Sequence, residues 1–214
     1  MIIDKLHFIS TQNEGFTHLD SITDALAAGC TWIQLRIKDQ PEQAVLEQAL
    51  AAKTLCDRYG AKLIVNDYPE IALKAGAYGL HLGLQDTLVE KAREVAGDKL
   101  IIGGTANTFE DILQRVTEGV DYIGLGPFRF TATKAKLSPL LGLQGYTSIM
   151  NRLRDAQIQI PVIAIGGIEL SDVRPILHTG VYGVAVSGAI TRAIDKSSTV
   201  KNMFNALEES SFVH

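Results

Sequence analysis

Short runs of consecutive apolar residues alternate along the chain with longer segments in which apolar residues recur every three or four positions. Continuous apolar runs are typical of parallel strands buried on both faces, and the longer period is typical of amphipathic helices. The predicted strands are residues 6–10, 32–36, 63–65, 79–82, 100–103, 122–125, 162–165 and 183–186. The predicted helices between them include residues 19–28, 41–59, 87–96 and 109–118.

Glycines mark the junctions at which several helices end and the next strand begins. Gly29, Gly76, Gly119 and Gly180 each stand where a helix end favours a left-handed residue. Eight strand–helix units in 214 residues, with no linker between them, predict one (β/α)8 TIM barrel over residues 1–214. A doubly wound open sheet is the alternative, since it has the same alternation without a closed set of eight strands.

Composition narrows the classes of ligand. The chain is 46% hydrophobic, which suffices for one large core, and its net charge is −4 with no run of lysines or arginines. A basic face for nucleic acid is therefore not expected. An anionic ligand would have to be held locally, by backbone amides, a few cations or a metal ion.

The cysteines and the lengths of the apolar runs bear on the location of the protein. Cys30 and Cys56 have apolar neighbours and no metal-ligand spacing, so both are predicted to be reduced core residues. Residues 1–10 resemble a strand more than a signal peptide, and no apolar run approaches the ~20 residues that span a bilayer. We expect a cytoplasmic protein without a membrane partner, and the sequence is compatible with a homo-oligomer.

The segment 123–134 combines a strand end with a cluster of polar side chains. It begins apolar, breaks at the Gly-Pro pair 126–127 and then carries Thr131, Thr133 and Lys134. Such a break followed by polar residues is typical of a functional loop. Hydroxyl groups donate hydrogen bonds and a lysine supplies a point charge, which together suit a phosphate or pyrophosphate group. The alternative is a solvated surface loop.

The end of the second predicted strand carries alternating polar side chains. The two-residue period of a strand points Gln34, Arg36 and Lys38 to one side, the interior or mouth of a barrel. Two cations and an amide would be costly to bury there without an anionic partner. Because chemistry collects at the C-terminal strand ends of such barrels, these residues are candidates for anion binding. The alternative is a solvated Lys38 and an Arg36 paired with a core carboxylate.

Carboxylates follow the third and fourth predicted strands. Asp67 comes directly after Asn66, and Asp86 lies shortly after His81. Proteins typically hold Mg²⁺ with one or two carboxylates together with phosphate oxygens and water, so Asp67 and Asp86 are candidate ligands. Each aspartate could instead cap the helix that follows it. His81 is interpreted as a hydrogen-bonded barrel residue rather than as a ligand.

The ends of the fifth, seventh and eighth strands offer uncharged groups. Thr105 brings a hydroxyl to the mouth, and Gly167, Ser187 and Gly188 precede helix starts. Bare backbone amides at a helix start form the usual phosphate site of a barrel, and the alternative is turns that simply need glycine. Two anion sites are therefore predicted. One is cationic and metal-assisted (Arg36, Lys38, Asn66, Asp67, Asp86 and Lys134), and the other is neutral (Thr131, Thr133, Gly167, Ser187 and Gly188).

Five short motifs stand in an order and spacing that span most of the chain. They are Q-L-R-x-K at 34–38, N-D at 66–67, H-L-G-x-x-D at 81–86, G-P-x-x-x-T-x-T-K at 126–134 and A-I-G-G-I at 164–168. Together they resemble the thiamine-phosphate synthase family. The resemblance implies a Mg²⁺-dependent (β/α)8 transferase that joins a hydroxymethylpyrimidine diphosphate to a thiazole phosphate and releases pyrophosphate.

The same resemblance implies residue roles. Mg²⁺ would be bound by Asp67 and Asp86, and the catalytic cations would be Arg36, Lys38 and Lys134. The implied pyrimidine diphosphate site consists of Gln34, Arg36, Lys38, Asn66, Thr105 and Lys134. The implied thiazole phosphate site consists of Thr131, Thr133, Gly167, Ser187 and Gly188.

Three positions depart from the family pattern. Leu84 stands where the family commonly has glutamine, Thr105 replaces a serine, and the eighth strand ends in Val-Ser-Gly at 186–188 rather than Val-Val-Ser. None of these changes removes a metal ligand or a cation.

The implied reaction is a dissociative substitution, in which the pyrimidine CH₂–O bond ionises before the thiazole nitrogen attacks. It needs no general base, in agreement with the lack of a catalytic His, Cys or Ser constellation in the sequence. Three alternatives share the phosphate-binding features. They are a thiazole tautomerase of the same fold, a non-catalytic thiazole-phosphate-binding protein, and a barrel enzyme such as a sugar-phosphate epimerase, which would want acid/base groups across the mouth.

Overall fold

A computed structural model of the chain describes residues 2–130 and 139–209. Its eight strands pair in parallel and in chain order, and β1 closes the barrel against β8 with Leu6 opposite Val184. The strands are β1 (Leu6–Ile9), β2 (Trp32–Leu35), β3 (Lys62–Asn66), β4 (Gly79–Leu82), β5 (Ile101–Ala106), β6 (Tyr122–Leu125), β7 (Val162–Ile165) and β8 (Gly183–Val186). The predicted (β/α)8 barrel is confirmed, and the open-sheet alternative is wrong because this sheet is closed.

The helices lie outside the barrel and cover the strands. They are α1 (His18–Ala27), α2 (Glu42–Arg58), α3 (Pro69–Lys74), α4 (Val89–Ala96), α5 (Phe109–Glu118), α6 (Gly142–Asp155), α7 (Val173–Leu177), α8 (Gly188–Thr191) and α9 (Lys196–Glu209). Thr17 and Thr108 begin α1 and α5 with capping boxes. The four junction glycines all have positive φ, from 64° to 103°, as the left-handed helix ends require. No helix in the described part of the chain is long and apolar enough to cross a membrane.

Strand β5 ends later than predicted, since it continues beyond Gly103 through Gly104 to Ala106. Two consecutive glycines in a sequence usually indicate a break, but here they make room for neighbouring side chains. A Cβ on Gly103 would collide with the ring of Tyr122, and one on Gly104 would lie 2.9 Å from Cδ of Arg115. The extension brings Thr105 into the sheet at the C-terminal end of the barrel.

Apolar side chains form an outer layer between strands and helices and a smaller cluster inside the barrel. The inner cluster includes Trp32, whose ring stacks on His7 at 4.3 Å between centroids. Burial lowers the pKa of His7 to about 3, so this imidazole is neutral. Cys30 and Cys56 are free, buried thiols, as predicted, and burial raises the pKa of each to about 12.

The N-terminal end of the barrel carries paired charges, which we call the barrel floor and define by Asp4, Lys62, Arg93 and Asp121. Lys62 donates a hydrogen bond to Oδ1 of Asp4. Arg93 donates to Oδ2 of Asp121 at 2.6 Å and to the carbonyl of Leu100 at 2.8 Å. These contacts fix the points at which β3, β5 and β6 begin.

Candidate active site

The C-terminal strand ends surround a cavity of about 870 Å³. Its walls come from the ends of β1, β2, β6, β7 and β8. A second cleft of about 590 Å³ opens beside it, over the ends of β3 and β4. Lys38 and Asp39 line both, so the two spaces meet at these residues.

The cleft contains the two predicted metal ligands. Lys38 Nζ donates to Oδ2 of Asp67 and lies 3.9 Å from Oδ1 of Asp86. The other oxygen of Asp67, Oδ1, is buried and accepts no hydrogen bond. Asp67 also has a φ of +70°, an uncommon conformation for a residue other than glycine. A strained backbone and an unsatisfied buried oxygen in one residue are typical of a functional site.

The two carboxyl groups have shifted pKa values of opposite sign. Burial, together with the nearby Asp86, raises the pKa of Asp67 to about 6. Burial also acts to raise the pKa of Asp86, but Asp67, the ammonium of Lys38 and the N–H of Gly83 outweigh it and lower that pKa. The protein without a metal thus holds a carboxyl pair in which Asp67 is the easier to protonate.

These groups fit a magnesium ion that also binds a phosphorylated ligand. Mg²⁺ commonly takes only one or two protein carboxylates and completes its shell with phosphate oxygens and water. In the part of the chain that the structure describes, no cluster of three acidic, histidine or cysteine side chains could hold a metal. A dedicated all-protein metal cage is therefore not present among these residues, whereas Asp67 and Asp86 match the two-carboxylate arrangement.

The helix-cap alternatives for Asp67 and Asp86 are wrong. Helices α3 and α4 have Tyr68 and Leu88 at their N-caps, and neither helix has a side-chain cap. Instead, Asp86 turns back to accept a hydrogen bond from the N–H of Gly83 at 2.7 Å.

Two further predicted residues form an amide pair on neighbouring strands. Gln34 of β2 donates to Oδ1 of Asn66 of β3 at 2.8 Å, and both side chains are buried. Gln34 follows Trp32 at the two-residue period, so it faces the interior as expected. The pair joins the cavity side of β2 to the strand end that carries Asp67.

Thr105 belongs to a chain of polar contacts inside the barrel. Its hydroxyl lies 3.0 Å from Nε2 of His81, whose Nδ1 lies 3.1 Å from the hydroxyl of Tyr122. His81 is therefore the hydrogen-bonded barrel residue that was predicted. The imidazole holds the Thr105 hydroxyl at the end of β5.

The guanidinium of Arg36 lines the main cavity, where Ser187 and Gly188 also lie. This group makes no hydrogen bond or ion pair with residues 2–130 or 139–209. The alternative, in which Arg36 pairs with a core carboxylate, is therefore wrong for the described residues. The backbone N–H of Arg36 donates to Oγ of Ser10 at 3.0 Å, and the Ser10 hydroxyl lies 2.8 Å from Nδ1 of His18. Burial and the charge of Arg36 lower the pKa of His18.

Gly167, Ser187 and Gly188, the described residues of the neutral anion site predicted at β7 and β8, line the same cavity. Arg192 passes directly over Gly188, since a Cβ there would collide with its guanidinium, and it pairs with Glu169 at 3.0 Å. This site is closer to positive charge than the sequence suggested. Thr131, Thr133 and Lys134 lie outside the described residues, and their roles stay predictions.

Several cavity residues were not among the predicted site residues, including Ser10, His18, Arg129 and Arg192. The polar end of β1 offered a signal for Ser10, because it is a strand end like those that were considered. Arg129 donates to the carbonyl of Gly167 at 2.8 Å and pairs with Asp172 at 2.7 Å. Arg129 lies in the segment 123–134 that was predicted to be a functional loop, but only Thr131, Thr133 and Lys134 were named there. No sequence signal distinguished Arg192 from other surface arginines.

Comparison with known proteins agrees with this geometry. Residues 6–190 match the family model described as thiamine monophosphate synthase. The thiamine-phosphate synthase of Bacteroides thetaiotaomicron is 48% identical over 201 residues, covering 94% of this chain and 96% of the relative. That of Flavobacterium psychrophilum is 50% identical over 190 residues, covering 89% and 92%. The solved structure of thiamine phosphate pyrophosphorylase from Pyrococcus furiosus superposes with a TM-score of 0.83 at 33% identity, covering 96% of each chain.

Proposed function

The chain belongs to the thiamine monophosphate synthase family, and we propose that its barrel mouth joins hydroxymethylpyrimidine diphosphate to hydroxyethylthiazole phosphate. The products are thiamine phosphate and pyrophosphate, which makes the protein a transferase. The observation that carries the proposal is the Asp67, Asp86 and Lys38 cluster beside a cavity in which Arg36 has no described partner. These two features suit a diphosphate group that arrives with a metal ion.

Asp67 and Asp86 would hold Mg²⁺, and the unsatisfied Oδ1 of Asp67 is the oxygen best prepared for it. When bound, Mg²⁺ neutralises negative charge on the leaving diphosphate. Lys38 already lies between the two carboxylates, so its ammonium would reach the same phosphate oxygens.

The chain's cations would drive the bond-breaking step. The pyrimidine CH₂–O bond breaks with its electron pair going to the diphosphate oxygen, and Arg36, Lys38 and Lys134 stabilise the charge that develops there. Gln34, Asn66 and Thr105 would hold the pyrimidine. The thiazole nitrogen then donates its lone pair to the CH₂ cation. No proton moves in this step, so no general base is required.

The thiazole phosphate would occupy the other side of the main cavity. Gly167, Ser187 and Gly188 offer backbone amides and a hydroxyl there, and Thr131 and Thr133 would add two more hydroxyls. Holding the two substrates in one cavity would supply proximity, which contributes strongly when the chemistry needs no acid or base. The free thiols of Cys30 and Cys56 support a reducing, cytoplasmic location.

A direct assay tests the proposal. The purified protein, mixed with both substrates and Mg²⁺, should form thiamine phosphate and pyrophosphate in equal amounts, as followed by chromatography, and excess EDTA should stop it. Thiazole-phosphate binding without product would indicate a binding protein. Isomerisation of a thiazole phosphate without coupling would indicate a tautomerase.

A further inference from the structure

Arg115 is a buried cation that none of the proposed catalytic steps uses. It projects from α5, its side chain is 4% exposed, and among the described residues it is the only buried arginine or lysine. Its three donor groups are all engaged. Nη1 pairs with Glu118 at 2.7 Å, Nη2 donates to the carbonyl of Gly83 at 2.7 Å, and Nε donates to the carbonyl of Thr105 at 3.3 Å.

The contact with Gly83 leads directly to a proposed metal ligand. The carbonyl of Gly83 also accepts from the N–H of Asp86 at 3.3 Å, and the N–H of Gly83 donates to the carboxylate of Asp86 at 2.7 Å. Gly83 has no side chain because a Cβ there would collide with that carboxylate. Through this hydrogen bond from α5, Arg115 holds the turn at Gly83 that determines where the Asp86 oxygens lie.

The contact with Thr105 ties a second strand end to the same guanidinium. Thr105 is the residue whose hydroxyl bonds His81 at the mouth. Arg115 reaches it because Gly104 leaves room for the arginine stem, where a Cβ would lie 2.9 Å from Cδ and 3.2 Å from Nε. One buried planar group therefore fixes the ends of β4 and β5 relative to each other.

We propose that Arg115 is a positioning residue that sets the Asp86 carboxylate for Mg²⁺ and diphosphate. The inference rests on the proposed function, because Asp86 is a metal ligand only if that proposal holds. Residues that orient a metal ligand without touching the metal commonly affect metal affinity by about 10–100-fold. Replacing Arg115 should therefore weaken the binding of Mg²⁺ and diphosphate and leave the binding of thiazole phosphate unchanged.

Arg93 provides a matched control at the other end of β5. It too combines an ion pair, with Asp121, and a hydrogen bond to a main-chain carbonyl, that of Leu100. Its contacts lie on the barrel floor, far from the mouth. Arg115→Met and Arg93→Met should both lower thermal stability, so stability alone does not separate a positioning role from a structural one.

The positioning and structural roles are separated by measuring, with calorimetry and without turnover, how tightly each variant binds inorganic pyrophosphate in the presence of Mg²⁺. Arg115→Met should weaken this binding about 10–100-fold relative to wild type. Arg93→Met should leave it unchanged. Arg115→Lys, which keeps one donor and the charge, should recover part of the loss.

Gly104→Ala gives an independent route if Arg115→Met does not fold. It keeps the guanidinium and displaces its stem, so it should weaken Mg²⁺–pyrophosphate binding in the same direction by a smaller factor. Wild-type protein that fails to bind Mg²⁺ and pyrophosphate would overturn the proposed function. Wild-type binding with equal affinities in the Arg115 and Arg93 variants would overturn the positioning role alone.

Discussion

A lysine–aspartate pair lies at each end of the barrel, and the two pairs differ in how completely their polar atoms are satisfied. On the floor, Asp4 uses both oxygens, accepting from Lys62 and from the hydroxyl of Thr31 at 2.9 Å. The ammonium of Lys62 also lies 5.7 Å from the ring centroid of Trp32. At the mouth, Asp67 shares Lys38 with Asp86 and leaves Oδ1 buried without a partner.

We interpret this difference as separating groups that stabilise the fold from the groups proposed to bind a ligand. A buried polar atom without a hydrogen bond costs stability, and a bound metal ion would remove that cost at Asp67. The raised pKa of Asp67 reflects the same cost, because burial and Asp86 together outweigh the attraction of Lys38. The floor pair should therefore matter for unfolding and the mouth pair for turnover.

The largest expected effect comes from exchanging one aspartate at each end for asparagine. Asp67→Asn should reduce turnover by about 10³-fold, because a bound metal supplies several kcal/mol of charge stabilisation to a reaction of this kind. Its melting temperature should stay equal to wild type or rise. Steady-state kinetics and calorimetric melting on the same samples measure both quantities.

Asp4→Asn is the matched control on the floor. It keeps the shape but removes the charge that Lys62 and Thr31 contact, at a cost of about 1.5–3 kcal/mol. A domain of this size loses about 2–4 °C per kcal/mol, so melting should fall by several degrees while turnover is retained. If both variants lost stability and activity together, the division between the two ends would not exist.

A smaller effect is expected from Arg36→Met. The guanidinium has no described partner, so removing it should not lower the melting temperature. Turnover should fall about 10²-fold, as with other single groups that stabilise developing charge. Binding of inorganic pyrophosphate and of thiazole phosphate, measured separately, would identify which anion Arg36 serves. A loss of several degrees in melting temperature would instead make Arg36 a structural residue.

The fold could be predicted from the sequence because strand burial and helix ends leave local signals. Continuous apolar runs located all eight strands, and the junction glycines have the positive φ that was expected. The end of β5 was predicted at Gly103, whereas the strand continues through Gly104 to Ala106. The role of the two glycines depends on Tyr122 and Arg115, which are distant in sequence and invisible to a local pattern.

The site was predictable where its residues lie at strand ends and less so elsewhere. Lys38, Asp67 and Asp86 meet as the barrel topology requires. Arg192 could not be foreseen, because its place over Gly188 depends on how the chain turns after β8. The sequence likewise could not exclude a helix cap at Asp86, which the hydrogen bond from the Gly83 N–H and the N-cap at Leu88 exclude.

The smallest expected effect is a pH dependence that only the mouth should show. In the protein without metal, burial raises the pKa of Asp67 to about 6, against an ordinary carboxyl value of about 4. The folded protein therefore binds this proton more tightly than the unfolded chain does. The resulting stabilisation is complete below pH 4 and is lost as the pH rises through 6.

Asp67→Asn and wild type should consequently have nearly equal melting temperatures at pH 4. Above pH 6 the variant should melt at the higher temperature, because asparagine never acquires the charge. On the proposed function, Mg²⁺ should offset the loss of wild-type stability above pH 6, since it would bind the charged carboxylates. Its affinity should weaken by up to about tenfold per pH unit below pH 6. A stability difference that stays flat between pH 4 and 7.5 would mean that the Asp67 carboxylate is as well accommodated as that of Asp4. The unsatisfied oxygen would then no longer distinguish the mouth from the floor.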